Sequence, residues 1–244
     1  MVVGTLTLLL LGGCSLYDKY FGGKEDKKPS DLMSEGLKNF ERGNYEEATE
    51  AFQQLKDRYP YSKYAVMAEL KMADGLYEKE EFEEAITAYD DFEKLHPKNE
   101  NIPYVIYQKG MCNFRRVTTI DRDQSFTLKA KEEFERLVKR YPRSEYANRA
   151  RKNIRECLIY LAEYELYVGH FYYKMGKYRT AMNRYIYLIQ TYPDMGQYHE
   201  ALEYISKCKE KLKEEEPSVE KTEKEGKEEK ETTEAPKAPK TWTF

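Results

Sequence analysis

Four times along this chain an alanine is followed four positions later by an aromatic and twelve positions later by a proline: Ala48/Phe52/Pro60, Ala85/Tyr89/Pro97, Ala130/Phe134/Pro142 and Ala181/Tyr185/Pro193. So regular a spacing predicts one helical unit used repeatedly, each copy burying its apolar face against the next. In three units a small residue stands twelve positions before the alanine (Gly36, Ala73, Gly169); in the third, Gly110 stands twenty before Ala130. Small side chains let two antiparallel helices approach closely, so Gly36 against Ala48 and Ala73 against Ala85 are expected crossing points. The aromatic, one turn beyond the alanine, is expected to fill the space toward the next unit. Proline lacks the donor that would continue the helix, so it ends each unit. Gly43 and Gly176 are expected in the turn within a unit, where positive φ favours glycine. Arg58-Tyr59-Pro60-Tyr61-Ser62-Lys63-Tyr64-Ala65 returns as Arg140-Tyr141-Pro142-Arg143-Ser144-Glu145-Tyr146-Ala147, making Ser62 and Ser144 expected N-caps.

The pattern is that of the tetratricopeptide repeat. The expected fold is all-α, a right-handed superhelical solenoid with four evident repeats, about 30–61, 62–98, 99–143 and 144–194, plus a C-terminal capping helix over 195–213.

Both ends differ in composition from the repeats. Residues 1–13 form an apolar run closing on Leu11-Gly12-Gly13-Cys14, a bacterial lipoprotein processing box, although no Lys or Arg precedes it. Cleavage there leaves Cys14 to carry acyl chains, and several chains make a lasting anchor. Residues 14–29 are expected to be a polar tether, with Tyr17, Tyr20 and Phe21 either idle or at the lipid interface. From Glu214 to Phe244 the chain is Lys, Glu, Thr and Pro with little apolar matter before Trp242, so composition predicts disorder.

Catalytic chemistry finds little support. His96, His170 and His199 belong to no paired nucleophile and base, and no metal-ligand spacing or phosphate loop appears. Cys112, Cys157 and Cys208 are 45 and 51 residues apart, which suits buried inert thiols, or two of them paired in an exported protein. No cofactor or metal is expected, and the chain is expected not to be an enzyme.

Departures from the spacing carry more information. Gly110 to Ala130 is twenty residues against twelve elsewhere, an insertion of eight near 117–126 containing Asp121, Arg122 and Asp123. Those carboxylates suit either the cap of the next helix or an outside contact. Pro142 to Gly169 is 27 residues against 13 in earlier units, so about four extra turns predict one long helix over 146–175. Charge divides the chain too: Ser30 to Glu100 carries 9 basic and 18 acidic residues, Lys109 to Arg155 carries 14 and 6. An acidic partner protein complements the basic half better than nucleic acid does, because acids are interleaved on the same helices.

These residues resemble the ComL or YfiO family, the BamD-type lipoproteins of the outer-membrane β-barrel assembly machine. The resemblance runs from the Cys14 box to about Lys213. It rests on Arg58-Tyr59-Pro60, Asn101-Ile102-Pro103-Tyr104-Val105 with Tyr107 and Gly110, Asp121-Arg122-Asp123, and Leu161-Ala162-Glu163-Tyr164-Glu165 through Tyr172-Tyr173 and Gly176 to Asn183-Arg184. It implies a scaffold without a reaction of its own, lipid-anchored on the periplasmic face of the outer membrane. By that resemblance, N-terminal units hold C-terminal signals of unfolded barrel proteins, in a pocket here lined from Tyr59, Tyr61, Tyr64 and Tyr77. C-terminal units meet the periplasmic domains of the barrel-forming partner BamA, with other subunits of the complex nearby, through Arg184 flanked by Asn183 and Tyr185. Arg184→Glu is then expected to weaken partner binding and leave melting unchanged. An envelope adaptor for peptidoglycan synthesis or secretion is the alternative, needing repeats and anchor but neither Asp121-Arg122-Asp123 nor Arg184.

Overall fold

The computed structural model describes residues 27–231, with side chains to residue 215. The described backbone is helical: α1 (Pro29–Glu41), α2 (Tyr45–Arg58), α3 (Ala65–Glu78), α4 (Phe82–Leu95), α5 (Ile102–Arg115), α6 (Ser125–Arg140), α7 (Glu145–Lys174), α8 (Tyr178–Thr191) and α9 (Tyr198–Glu231). It divides into two units, one up to Cys112 and one from Asn113. Cys14 and the expected lipid anchor and most of the tether lie outside the described residues, as do residues 232–244.

In the first unit α1 and α2 form an antiparallel hairpin joined by Gly43, whose φ of 79° is the left-handed conformation glycine adopts without strain. Asp31 near the start of α1 and Lys56 and Arg58 near the end of α2 complement the helix dipoles. Leu32, Met33, Ala48, Phe52, Leu55, Ala65 and Ala68 make the core, each nearly sealed from solvent. Burying a ring such as Phe52 contributes about 2–3 kcal/mol.

The close approach brings in the aromatic. A Cβ on Gly36 would sit 2.7 Å from Phe52 Cδ1, so the glycine lies under the Phe52 ring. Gly169 meets Tyr185 likewise, where an added Cβ would lie 2.8 Å from Cδ1. The physical reason is volume. A flat ring projecting from one helix needs a missing side chain on the other. The helix A position and the aromatic of helix B therefore form one unit of packing.

The turn between α3 and α4 carries Glu80 at φ 62° where the turn before α2 has Gly43 and the turn before α8 has Gly176, at 75°. Each of the three stands two residues before its helix begins.

In the second unit α7 runs unbroken for 30 residues, in line with the long helix expected from the spacing. Ser144 caps it, its hydroxyl accepting from the Tyr146 amide at 3.2 Å. Ser62 does not do the same. Its own amide bonds to Tyr59 O at 2.9 Å and its carbonyl accepts from Ala65, and α3 begins only at Ala65. No helical amide then stands two residues on, and Ser62 Oγ is buried without a hydrogen bond. Ala162, Ala181, Tyr185, Leu188, Ala201, Ile205 and Cys208 form the core shared by α7, α8 and α9.

Composition predicted disorder from Glu214, yet α9 continues to Glu231. Lysine and glutamate, unfit for a core, are strong helix formers, and a helix already nucleated on packed residues 198–213 extends at little cost. Cys112, Cys157 and Cys208 are buried thiols, none bonded to another. Burial pushes the Cys157 thiol up to about 12.

Candidate functional site: a helix groove and two buried charge clusters

Ser30, Met33, Ser34, Leu37, Lys38 and Glu41 recur at helical spacing along one side of α1 and, with Tyr64 at the foot of α3, line an open groove of about 410 Å3. Its floor is apolar, from Met33 and Leu37, and its rim is hydroxyl and charged. Such a surface offers apolar contact area bordered by serine hydroxyls and the Lys38 and Glu41 charges.

Of the four tyrosines expected to line a pocket, Tyr64 alone is in this groove. Tyr59 packs on the same core, and its hydroxyl donates to Lys27 O at 3.1 Å, closing the α2 end against the start of α1. Tyr61 is fully solvated on the turn. Tyr77, at the far end of α3 from Tyr64, packs edge-on against Phe82 at 5.7 Å. The structure therefore does not gather the four into one surface. The α1 lining went unread because Ser30, Ser34 and Lys38 are ordinary helix-surface residues until α3 is laid beside them.

Elsewhere in the first unit, α3, α4 and α5 share a cluster with no sequence signature. Asp74 is 4% exposed. Its Oδ1 accepts from Tyr89 Oη and Tyr104 Oη, each at 2.8 Å, and its Oδ2 from Lys71 Nζ at 2.8 Å. Gln108 Nε2 donates to Tyr104 Oη at 3.0 Å. A buried carboxylate is costly unless saturated with donors, and three elements supply them here. Burial first, then the Asp74 charge, raises both phenols well above the usual tyrosine range. Nearby, buried Lys109 lies between Asp90 and Glu93. His96 meets Glu69 at 2.7 Å.

The insertion of the third repeat is the loop 116–124, on which Asp121, Arg122 and Asp123 are all exposed. Asp123 Oδ1 accepts the Ser125 amide at 3.1 Å, opening α6. The Ser125 hydroxyl and amide hold the Asp123 carboxyl below its usual range, and the Thr119 hydroxyl does so for Asp121. Arg122 presents its guanidinium to solvent.

Asn183 is exposed on α8 and Arg184 half-buried beside it. Arg184 Nη1 donates to Glu165 Oε2 on α7 at 3.2 Å. Tyr185 is sealed from solvent, with its hydroxyl hydrogen-bonded to His170 Nδ1 at 2.8 Å, and His170 Nε2 lies 3.1 Å from Glu200. The ring sits in the core over Gly169, so Tyr185 has no surface to offer a partner, and the expected contact set reduces to Asn183 and Arg184. The aromatic of the repeat is inward by construction.

Paired helices joined by short turns, with a glycine under Phe52 and another under Tyr185 and an open face along helix A, define a tetratricopeptide-repeat protein. Residues 25–225 match the model of YfiO, described as outer membrane lipoprotein, and the chain belongs to that family. Similar relatives are the outer membrane protein assembly factor BamD of Caulobacter vibrioides, 30% identical over 202 residues covering 82% of this chain and 66% of that protein, and that of Vibrio cholerae, 29% identical over 210 residues covering 82% and 86%. The chain thus spans just under two thirds of the Caulobacter protein's length. Among solved structures, the TPR2AB domain of yeast Sti1 in complex with an HSP90 peptide is similar, at 15% identity and a TM-score of 0.49 over 75% of this chain and 70% of that one.

Proposed function

We propose that this chain is a non-enzymatic assembly factor for outer-membrane β-barrels, lipid-anchored through Cys14 on the periplasmic face. In this reading the α1–α3 groove holds an extended segment of an unfolded barrel protein, and Arg184 and Asn183 on α8 meet the BamA insertase, with Asp121, Arg122 and Asp123 offered to the complex by the exposed loop. The observation that carries it is the groove itself: an open channel along helix A with an apolar floor and a hydroxyl and charged rim, in a chain of an outer membrane lipoprotein family. Nothing in such a surface performs chemistry; it binds by area and shape.

The experiment is depletion in the native host followed by complementation. Depletion lowers outer-membrane porins, and the parent chain restores them. Ser34→Trp, which fills the groove from an exposed position, fails to restore them while its melting temperature holds. Unchanged porin levels on depletion overturn the assembly reading, and full rescue by Ser34→Trp overturns the groove's part in it.

A further inference from the structure

Between Lys139 and Arg155, a span of 17 residues over the end of α6 and the first turns of α7, the chain has seven cations against one acid, Glu145. All seven are exposed. Arg151 Nη2 donates to Pro142 O at 3.1 Å, which fastens the start of α7 to the preceding turn and sets Arg151 beside Arg143. Arg155 stands at i+4 from Arg151 and i+3 from Lys152, so it neighbours both on the surface of α7. Arg140 and Arg149 lie over the rings of Tyr141 and Tyr146, 5.2 and 5.3 Å from their centroids. Lys139, Arg143, Lys152 and Arg155 form no ion pair or hydrogen bond with any described residue. Arg149 also pairs with the exposed Glu145 at 3.5 Å, so the fold engages three of the seven cations and leaves the side chains of four to solvent.

We propose that this corner is a membrane-contact patch that docks on anionic phospholipid headgroups. Clusters of four to eight cations hold a peripheral surface to an anionic bilayer. Arginine forks match phosphate oxygens, and half-buried Tyr141 and Tyr146 place rings with polar tips at headgroup depth. An acidic protein partner fits less well. Protein interfaces bury a packed central anchor, and among the described residues no large side chain between 139 and 155 is an exposed hydrophobic, the two rings there being half-buried under Arg140 and Arg149. The family supplies the surface, since its members are outer membrane lipoproteins.

The test uses the full chain with Cys14→Ala, so that no acyl chain contributes, and vesicles of phosphatidylethanolamine with phosphatidylglycerol or of phosphatidylcholine alone. The parent binds the anionic vesicles at least tenfold more tightly than the neutral ones, and the preference fades as salt is raised. Lys139→Gln/Arg143→Gln/Lys152→Gln/Arg155→Gln lowers anionic-vesicle affinity on the order of 100-fold with melting unchanged. Arg143→Lys/Arg155→Lys, which keeps the charge, retains binding to within a few-fold and controls for folding. Equal binding of parent and glutamine variant, the absence of a preference for anionic lipid, or equally tight binding of the parent to polyglutamate overturns the proposal.

Discussion

Arg184 on α8 lies 3.2 Å from Glu165 on α7, and the two are unequally buried: the glutamate side chain is 9% exposed, the arginine 44%. The arginine is thus both a surface residue and the counter-charge of a buried carboxylate. Arg184→Glu puts two anions together, one of them poorly hydrated. We expect it to lower stability by about 2 kcal/mol, less than for a fully buried pair because the arginine faces water. That reverses the sequence-based expectation of unchanged melting. Arg184→Lys keeps a charge for Glu165 but loses the fork. If Arg184 meets a partner, this variant melts within about 2 °C of the parent and binds about tenfold more weakly in pull-down. Unweakened binding would leave Arg184 a purely internal role.

Gly36→Ala tests the packing of a ring on a glycine. The added methyl overlaps Phe52, and overpacking of this kind costs about 1–3 kcal/mol, measured by urea unfolding. Phe52→Leu alone also destabilises, but combined with Gly36→Ala it recovers part of the loss. Strict additivity of the two would show that they do not share the site.

Alkaline pH loosens the fold through its buried phenols. Tyr89 and Tyr104 have folded-state pKa values above the ordinary value near 10, and Cys157 is pushed up to about 12. Each group stays protonated in the folded chain while the unfolded chain releases its proton. Their contribution is full below the unfolded values and is lost as pH rises through them toward the folded ones. Stability should therefore fall above pH 10 by about 1.4 kcal/mol per pH unit for each tyrosine in that window. Urea midpoints from pH 8 to 11.5 check this. Tyr104→Phe flattens the alkaline slope while lowering stability at pH 8, because Asp74 loses a donor.

Glu80→Gly is expected to stabilise. A non-glycine residue at φ 62° carries about 1 kcal/mol of strain that glycine does not. Part of the relief is offset by the greater freedom of glycine in the unfolded chain, leaving a rise in melting temperature of about 1–3 °C. Gly43→Ala moves the other way. A drop for Glu80→Gly would mean that the glutamate's own interactions outweigh the backbone strain.

Much of the fold was legible because helix geometry ties sequence distance to space. Ala48, Phe52 and Pro60 recur as a set in later units, and each set lies on a helix and its end. Which side chain sits under Phe52 was not legible: spacing places residues along a helix but does not say that Gly36 lies beneath the ring. Asp74 was invisible for a different reason. Its donors come from positions 71, 89 and 104, and a buried carboxylate is identified only when all three converge. Glu165 and Arg184, 19 residues apart, were both noted in the sequence, yet nothing local paired them. The groove failed similarly, since it is a property of two helices side by side.

Apolar surfaces slip past one another at little cost, because dispersion forces have no direction. The single oxygen of Asp74 that takes hydrogen bonds from both Tyr89 and Tyr104 behaves instead as a rivet through α3, α4 and α5. Sliding any one of these helices along its axis would strip a donor from a carboxylate that water cannot reach. A load applied to the groove on α3 is thereby shared among three helices, and the first unit resists being peeled open one helix at a time.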